Sequence, residues 1–183
     1  KSDGIPLFLE EITKYVLESG LLVERNGSYV LSGPLPPLAI PSTLQDSLMA
    51  RLDRLEGAKE IAQIGAAIGR EFSYRLIEGV SSRKGVSLQN ALDILSQSEI
   101  IFRRGTPPDA TYTFKHALIQ DTAYDTLLRS RRQEIHARIA QVLKEEDETE
   151  PELIAHHYTN AGLLAEAAPE WLRTGWIFEI TAT

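Results

Sequence analysis

The chain has 183 residues, 43% of them hydrophobic and 25% charged, with a formal net charge of −7. This is the composition of a folded globular protein long enough to bury its own core, and it excludes a disordered tail. Cysteine is absent, which removes disulfides, thiol nucleophiles and thiolate metal sites. The acidic balance argues against a general binder of nucleic acid, whose affinity rests on basic side chains.

No apolar run reaches the roughly 18 residues that a bilayer span needs, and no basic-then-apolar leader opens the chain. A cytoplasmic, non-membrane protein is expected. The start at Lys1 and the single methionine, Met49, read as a piece of a longer protein.

In chain order, Gly4-Ile5-Pro6 introduces LFLEEITKYVLESG, whose Phe8, Ile12, Tyr15 and Val16 recur at helical spacing. Pro6 suits the first turn and Gly20 the stop. In LLVERNGSYVL, Asn26-Gly27 between two apolar runs predicts a β-hairpin. GPLPPLAIP carries four prolines and predicts an extended linker over 33–43.

Ser42-Thr43-Leu44-Gln45 reads as a capping box, followed by a helix with Leu44, Leu48, Leu52 and Leu55 on one stripe, ending at Gly57. AKEIAQIGAAIG is a second helix. Its Gly65 and Gly69 have neither the order nor the preceding strand of a nucleotide loop, so close approach of another helix is the expected use.

EFSYRLIEGV predicts a short helix and VSLQNALDILSQSE a longer one, with Val86, Leu88, Ala91, Leu92 and Leu95 on its apolar side. IIFRRG and TYTFK are β-rich runs around the turn-forming Thr106-Pro107-Pro108-Asp109. Three helices and then a β-hairpin is the winged-helix order. A further helix starts near Lys115 and either runs on or breaks near Ser130 into RRQEIHARIAQVLKE; EEDETEPE then reads as a solvated connector.

PELIAHHYTNAG and AEAAPEWLRTGWIFEITA make a helix pair that resembles one tetratricopeptide unit, with Ala155, Tyr158, Ala161, Gly162, Ala165, Ala168, Trp171 and Leu172 as packing positions. One unit cannot bury its own face, so further repeats are expected beyond it. The fold class expected is mainly α: lid helix and β-hairpin over 1–32, linker over 33–43, winged-helix domain with a small β-wing over 44–129, connecting helix and acidic loop over 130–150, and a TPR-like pair over 151–183.

The chemistry-bearing motifs of enzymes are missing. There is no GxxxxGK[ST] loop, GxSxG elbow or HExxH pair, so no catalytic residue and no metal site is assigned. His156 and His157 are adjacent, which turns them about 100° apart on a helix; one is expected to pack and the other to face water. DNA reading by the helix at 87–98 is disfavoured, because that stretch has no lysine or arginine and carries Asp93.

Three stretches, GIPLFLEEI, AIPSTLQDSLMARLDRL with IGREF, and FKHALIQDTAY, together resemble the region C-terminal to the nucleotide-binding core of STAND-type AAA+ ATPases. The resemblance is strongest to bacterial regulators in which that ATPase and TPR repeats accompany an adenylate/guanylate cyclase domain, and it covers nearly the whole chain. It implies a non-catalytic regulatory segment that couples an upstream nucleotide-binding core to downstream helical repeats and, through them, to a protein partner.

It also implies ATP or ADP with Mg in the parent protein and no cofactor in this segment. By the same resemblance, Gly4 and Pro6 match the GxP element near the adenine, His116 the histidine that contacts the ADP phosphates, and Lys115 a neighbouring cation. The alternatives are a winged-helix DNA-binding module of a transcriptional regulator, or a structural adaptor.

Overall fold

A computed structural model describes residues 13, 22–25, 28–31, 44–55, 57–145 and 149–174. The chain divides into two compact units, Lys1–Glu56 and Gly57–Thr183. The lid helix around Phe8 and Tyr15, the proline linker 33–43 and the capping box at Ser42-Thr43 lie outside the described residues.

In the first unit, β1 (Leu22–Arg25) and β2 (Ser28–Leu31) pair antiparallel, with Arg25 opposite Ser28 and Leu22 opposite Leu31. This register leaves two residues for the connection, as the Asn26-Gly27 signal requires. Helix α1 (Leu44–Arg54) buries Leu48 and Leu52 completely, four residues apart on the predicted stripe, while Leu55 is half-buried.

The second unit runs α2 (Lys59–Ile68), β3 (Glu71–Ser73), α3 (Tyr74–Val80), α4 (Gly85–Gln97), β4 (Ile101–Arg104), β5 (Thr111–Phe114), α5 (Ala117–Asp125), α6 (Arg129–Glu145), α7 (Pro151–Ala161) and α8 (Leu164–Arg173). It is mainly α-helical around one three-stranded antiparallel sheet in the order β3-β5-β4. No helix among the described residues is long and apolar enough to cross a membrane.

The sheet's inner side is aromatic. Phe72 stacks on Tyr112 with ring centroids 5.7 Å apart and meets Phe114 at 5.9 Å. Ile61 and Ile64 of α2, Leu88, Leu92 and Leu95 of α4, and Ile100 and Ile101 complete this core, each essentially shielded from solvent. Burial on that scale contributes about 1.5–3 kcal/mol per large side chain.

EFSYRLIEGV is not the single helix that its local pattern predicts. Residues 71–73 pair with β5, Glu71 opposite Thr113 and Ser73 opposite Thr111, and the helix starts only at Tyr74. Ser73 makes the break: its side chain accepts from the Leu76 N–H at 3.1 Å, an N-cap that needs extended backbone at Ser73 itself. Val86, expected on the apolar side of α4, is 73% exposed in the first turn.

Gly65 has a different use from the one its spacing suggests. A Cβ there would lie 2.6 Å from the Phe72 ring, so the bare backbone makes room for an aromatic of β3, not for another helix. Gly69 closes α2, its N–H returning to the Gly65 carbonyl at 3.0 Å.

Beyond the sheet, α5 and α6 are separate helices with the break at 126–128. The Leu127 carbonyl freed by the break accepts from Arg132 Nε at 3.1 Å. Helix α6 packs on α2, α3 and α7, and α7 packs in turn on α8.

The expected packing positions of the last pair divide. Ala155 and Tyr158 are buried and Ala161 and Trp171 half-buried, but Gly162, Ala165, Ala168 and Leu172 are exposed, and α8 buries Ala167 and Glu170 instead.

Candidate functional site at the strand-to-helix junction and the histidine cluster behind it

The junction singled out by the sequence is built from the end of β5 and the start of α5. Lys115 continues the sheet pairing, its N–H donating to the Ile100 carbonyl at 3.0 Å. Its ammonium lies 3.0 Å from the Glu99 carboxylate and is only 18% exposed. That ion pair ties the exit of β5 to the corner between α4 and β4, where Glu99 adopts a φ of 53°.

His116 is the N-cap residue of α5, with φ −135° and ψ 145°. Its carbonyl accepts from the N–H groups of Ile119 and Gln120 at 3.1 and 3.4 Å, but its side chain makes no capping bond. The ring is half-buried, and its Nε2 is shielded with no hydrogen-bond partner among the described residues. A buried polar nitrogen without a partner costs about 1–3 kcal/mol, a cost that a hydrogen bond to a ligand atom would offset.

Gly4 and Pro6, the other two positions implied by resemblance, lie outside the described residues. Lys115 and His116 are brought together only by adjacency in the chain: the ammonium of the first is engaged by Glu99, while Nε2 of the second has no partner among the described residues. The outer side of the sheet carries a shallow hollow of about 210 Å³ lined by Glu71, Arg104, Gly105, Asp109, Thr111 and Thr113. Its charges are of mixed sign and partly engaged, Glu71 by Thr113 at 3.1 Å and Asp109 by Arg75 at 2.7 Å.

A second cluster stands where α5, α6 and α7 meet. Tyr124 of α5 places its hydroxyl 2.9 Å from Nε2 of His136, and Nδ1 of His136 lies 2.8 Å from Nδ1 of His157. Both imidazoles are almost fully buried, and Nε2 of His157 has no partner among the described residues. His156, the neighbour of His157, faces solvent and its ring sits 5.3 Å from that of His157. The division of the adjacent pair into one packed and one exposed histidine is therefore observed.

Burial lowers the His136 pKa to about 4, with the charges of His156 and Arg132 adding to it. Burial likewise lowers His157 to about 3, reinforced by His136 and His156. Both rings are neutral at pH 7, so the Nδ1–Nδ1 contact holds one proton, donated by one ring and accepted by the other.

The sequence reading missed His136. The signal was available: with Ile139, Ala140 and Leu143 it occupies the buried stripe of α6 at helical spacing. No group of three or more His, Cys, Asp or Glu among the described residues is arranged to hold a metal ion.

A third polar feature closes the far end of α6. Glu170 of α8 is buried between Lys144, 3.2 Å away, and Arg173, 2.9 Å away. Burial alone would raise its carboxyl pKa; the hydrogen bonds and charges of Lys144 and Arg173 outweigh this and hold it below the ordinary value.

No family model matches the chain, and no solved structure matches it. The chain is 32% identical over 179 residues to the uncharacterized protein R02095 of Rhizobium meliloti (strain 1021). The match takes in 95% of this chain and 17% of that protein, so the chain spans a small part of its relative's length.

Proposed function

We propose that the chain is a non-catalytic regulatory segment of a STAND-type AAA+ ATPase. It couples the nucleotide state of a core upstream of residue 1 to helical repeats downstream, and through them to an output such as a nucleotide cyclase. The observation that carries this reading is the buried, unpartnered Nε2 of His116 at the strand-to-helix junction. An imidazole N–H there can donate a hydrogen bond to a phosphate oxygen.

The order α2-β3-α3-α4-β4-β5 supports a winged-helix reading of the sheet-bearing part. On α8, Leu164, Ala168 and Leu172 recur every four residues and stand exposed, which supports reading α7–α8 as the start of a repeat array with one face still to be covered. A DNA-reading role gains nothing from α4, which carries no lysine or arginine, or from Arg103, which is paired with Asp93 at 2.8 Å.

The test is the rate of ADP release from the full-length parent protein. His116→Ala removes a charge-assisted hydrogen bond worth about 1.5–3 kcal/mol and should speed release by about tenfold or more. An unchanged rate takes His116 out of the mechanism.

A further inference from the structure

Three of the four histidines of the chain, His136, His156 and His157, lie together at the packing of α6 on α7, well away in sequence from His116. Two of them are buried ring to ring. We propose that the His136–His157 pair makes the α6–α7 packing a pH-sensitive joint: mild acid opens it and frees the α7–α8 pair, while the three-stranded sheet and its helices stay closed.

With both rings neutral, the Nδ1–Nδ1 bond is satisfied and His136 Nε2 is met by the Tyr124 hydroxyl. One added proton leaves that bond possible but places a cation in the buried contact. A second leaves two N–H donors facing each other at a 2.8 Å separation, with no acceptor between them.

The groups acting on the pair are Tyr124 of α5, Arg132 of α6, whose guanidinium lies 4.4 Å from the Tyr124 ring, and His156 of α7. None of these is a carboxylate. On the elements packed around the pair, Glu60 of α2 is engaged by Arg131, Glu78 of α3 by Tyr74, Asp125 of α5 by Arg132, Glu134 of α6 by Arg131, and Glu170 of α8 by Lys144 and Arg173, while Asp121 of α5, Glu145 of α6, Glu152 of α7 and Glu166 of α8 are exposed to solvent.

The sign is fixed by linkage. In the open state each imidazole regains its ordinary pKa of 6.5, whereas in the closed state the values are about 4 and about 3. The open state therefore binds more protons once pH falls below 6.5, and the closed state loses stability from there down to the folded values.

The experiment is amide hydrogen exchange on the chain, corrected for the intrinsic pH dependence of exchange. From about pH 7 to about pH 5, the opening constant for α7 should rise about 500-fold, the effect of two imidazoles, with a much smaller change in β5. In His157→Leu one buried imidazole remains, and the rise should fall to about 25-fold. Protection of α7 that does not change, or that changes in step with β5, overturns the joint. If the variant does not fold, ring NMR of the wild type decides: both imidazoles must stay neutral while α7 remains protected, and titration of either near 6.5 in the closed protein contradicts the proposal.

Discussion

At the scale of single residues, the polar groups that matter are those that a helix surface pattern conceals. Glu170 is buried, yet its two oxygens are taken by Lys144 and Arg173 from two helices. In Glu170→Gln both cations lose a charged partner, and stability at about pH 7 should fall by about 1–3 kcal/mol. Because the folded carboxyl is held below its ordinary 4.5, that advantage is present above 4.5 and is lost as pH falls through the folded value.

Urea titrations of both proteins should thus show a gap at about pH 7 that narrows at about pH 3.5. A gap that does not depend on pH would assign the effect to packing. The sequence showed that one of His156 and His157 could pack while the other faced water, since a helix turns adjacent residues apart, but not which. It could not show the partner, because His136 lies 21 positions away on another helix.

At the scale of elements, long, strongly periodic helices were legible and β3 was not. Three residues cannot display a strand period, and Glu71–Ser73 owes its conformation to β5, about 40 positions further along the chain. The hairpin β1–β2 was legible because its signal is local to the turn. The α5–α6 break was left open by a pattern in which both helices share an apolar period.

Gly65 connects this scale to stability. Alanine there gains roughly 1 kcal/mol of helix propensity over glycine. Its methyl, however, meets the buried Phe72 ring at 2.6 Å, and overpacking of a closed core costs about 1–3 kcal/mol. Gly65→Ala should therefore be destabilising by up to about 2 kcal/mol, read as a lower urea midpoint with unchanged slope. A stabilised variant would mean that the ring has room to move. Gly79 offers a parallel contact, where a Cβ would lie 2.8 Å from Val142 between α3 and α6.

At the scale of the whole molecule, the chain offers no constellation of catalytic side chains among its described residues. It has instead two polar junctions spaced along one run of helices: the buried, unpartnered Nε2 of His116 at the start of α5, and the Tyr124–His136–His157 chain that links the end of α5 to α6 and α7. Helix α5 thus joins the proposed nucleotide-facing residue to the base of the repeat-like pair, an arrangement suited to passing a two-state change in one direction or the other. The proposed role rests in the sequence only on the three stretches that resemble the ATPase class, because residues that act on a ligand held by another domain have no catalytic neighbours in their own.

The proposed coupling requires that the intact protein hold a nucleotide against this segment. The direct measurement is the nucleotide content of the purified full-length parent, extracted by denaturation and compared with that of the 183-residue chain prepared in the same way. Close to one ADP per full-length chain is expected, and none on the segment alone. A full-length protein free of nucleotide, and unable to retain added ADP, would contradict it.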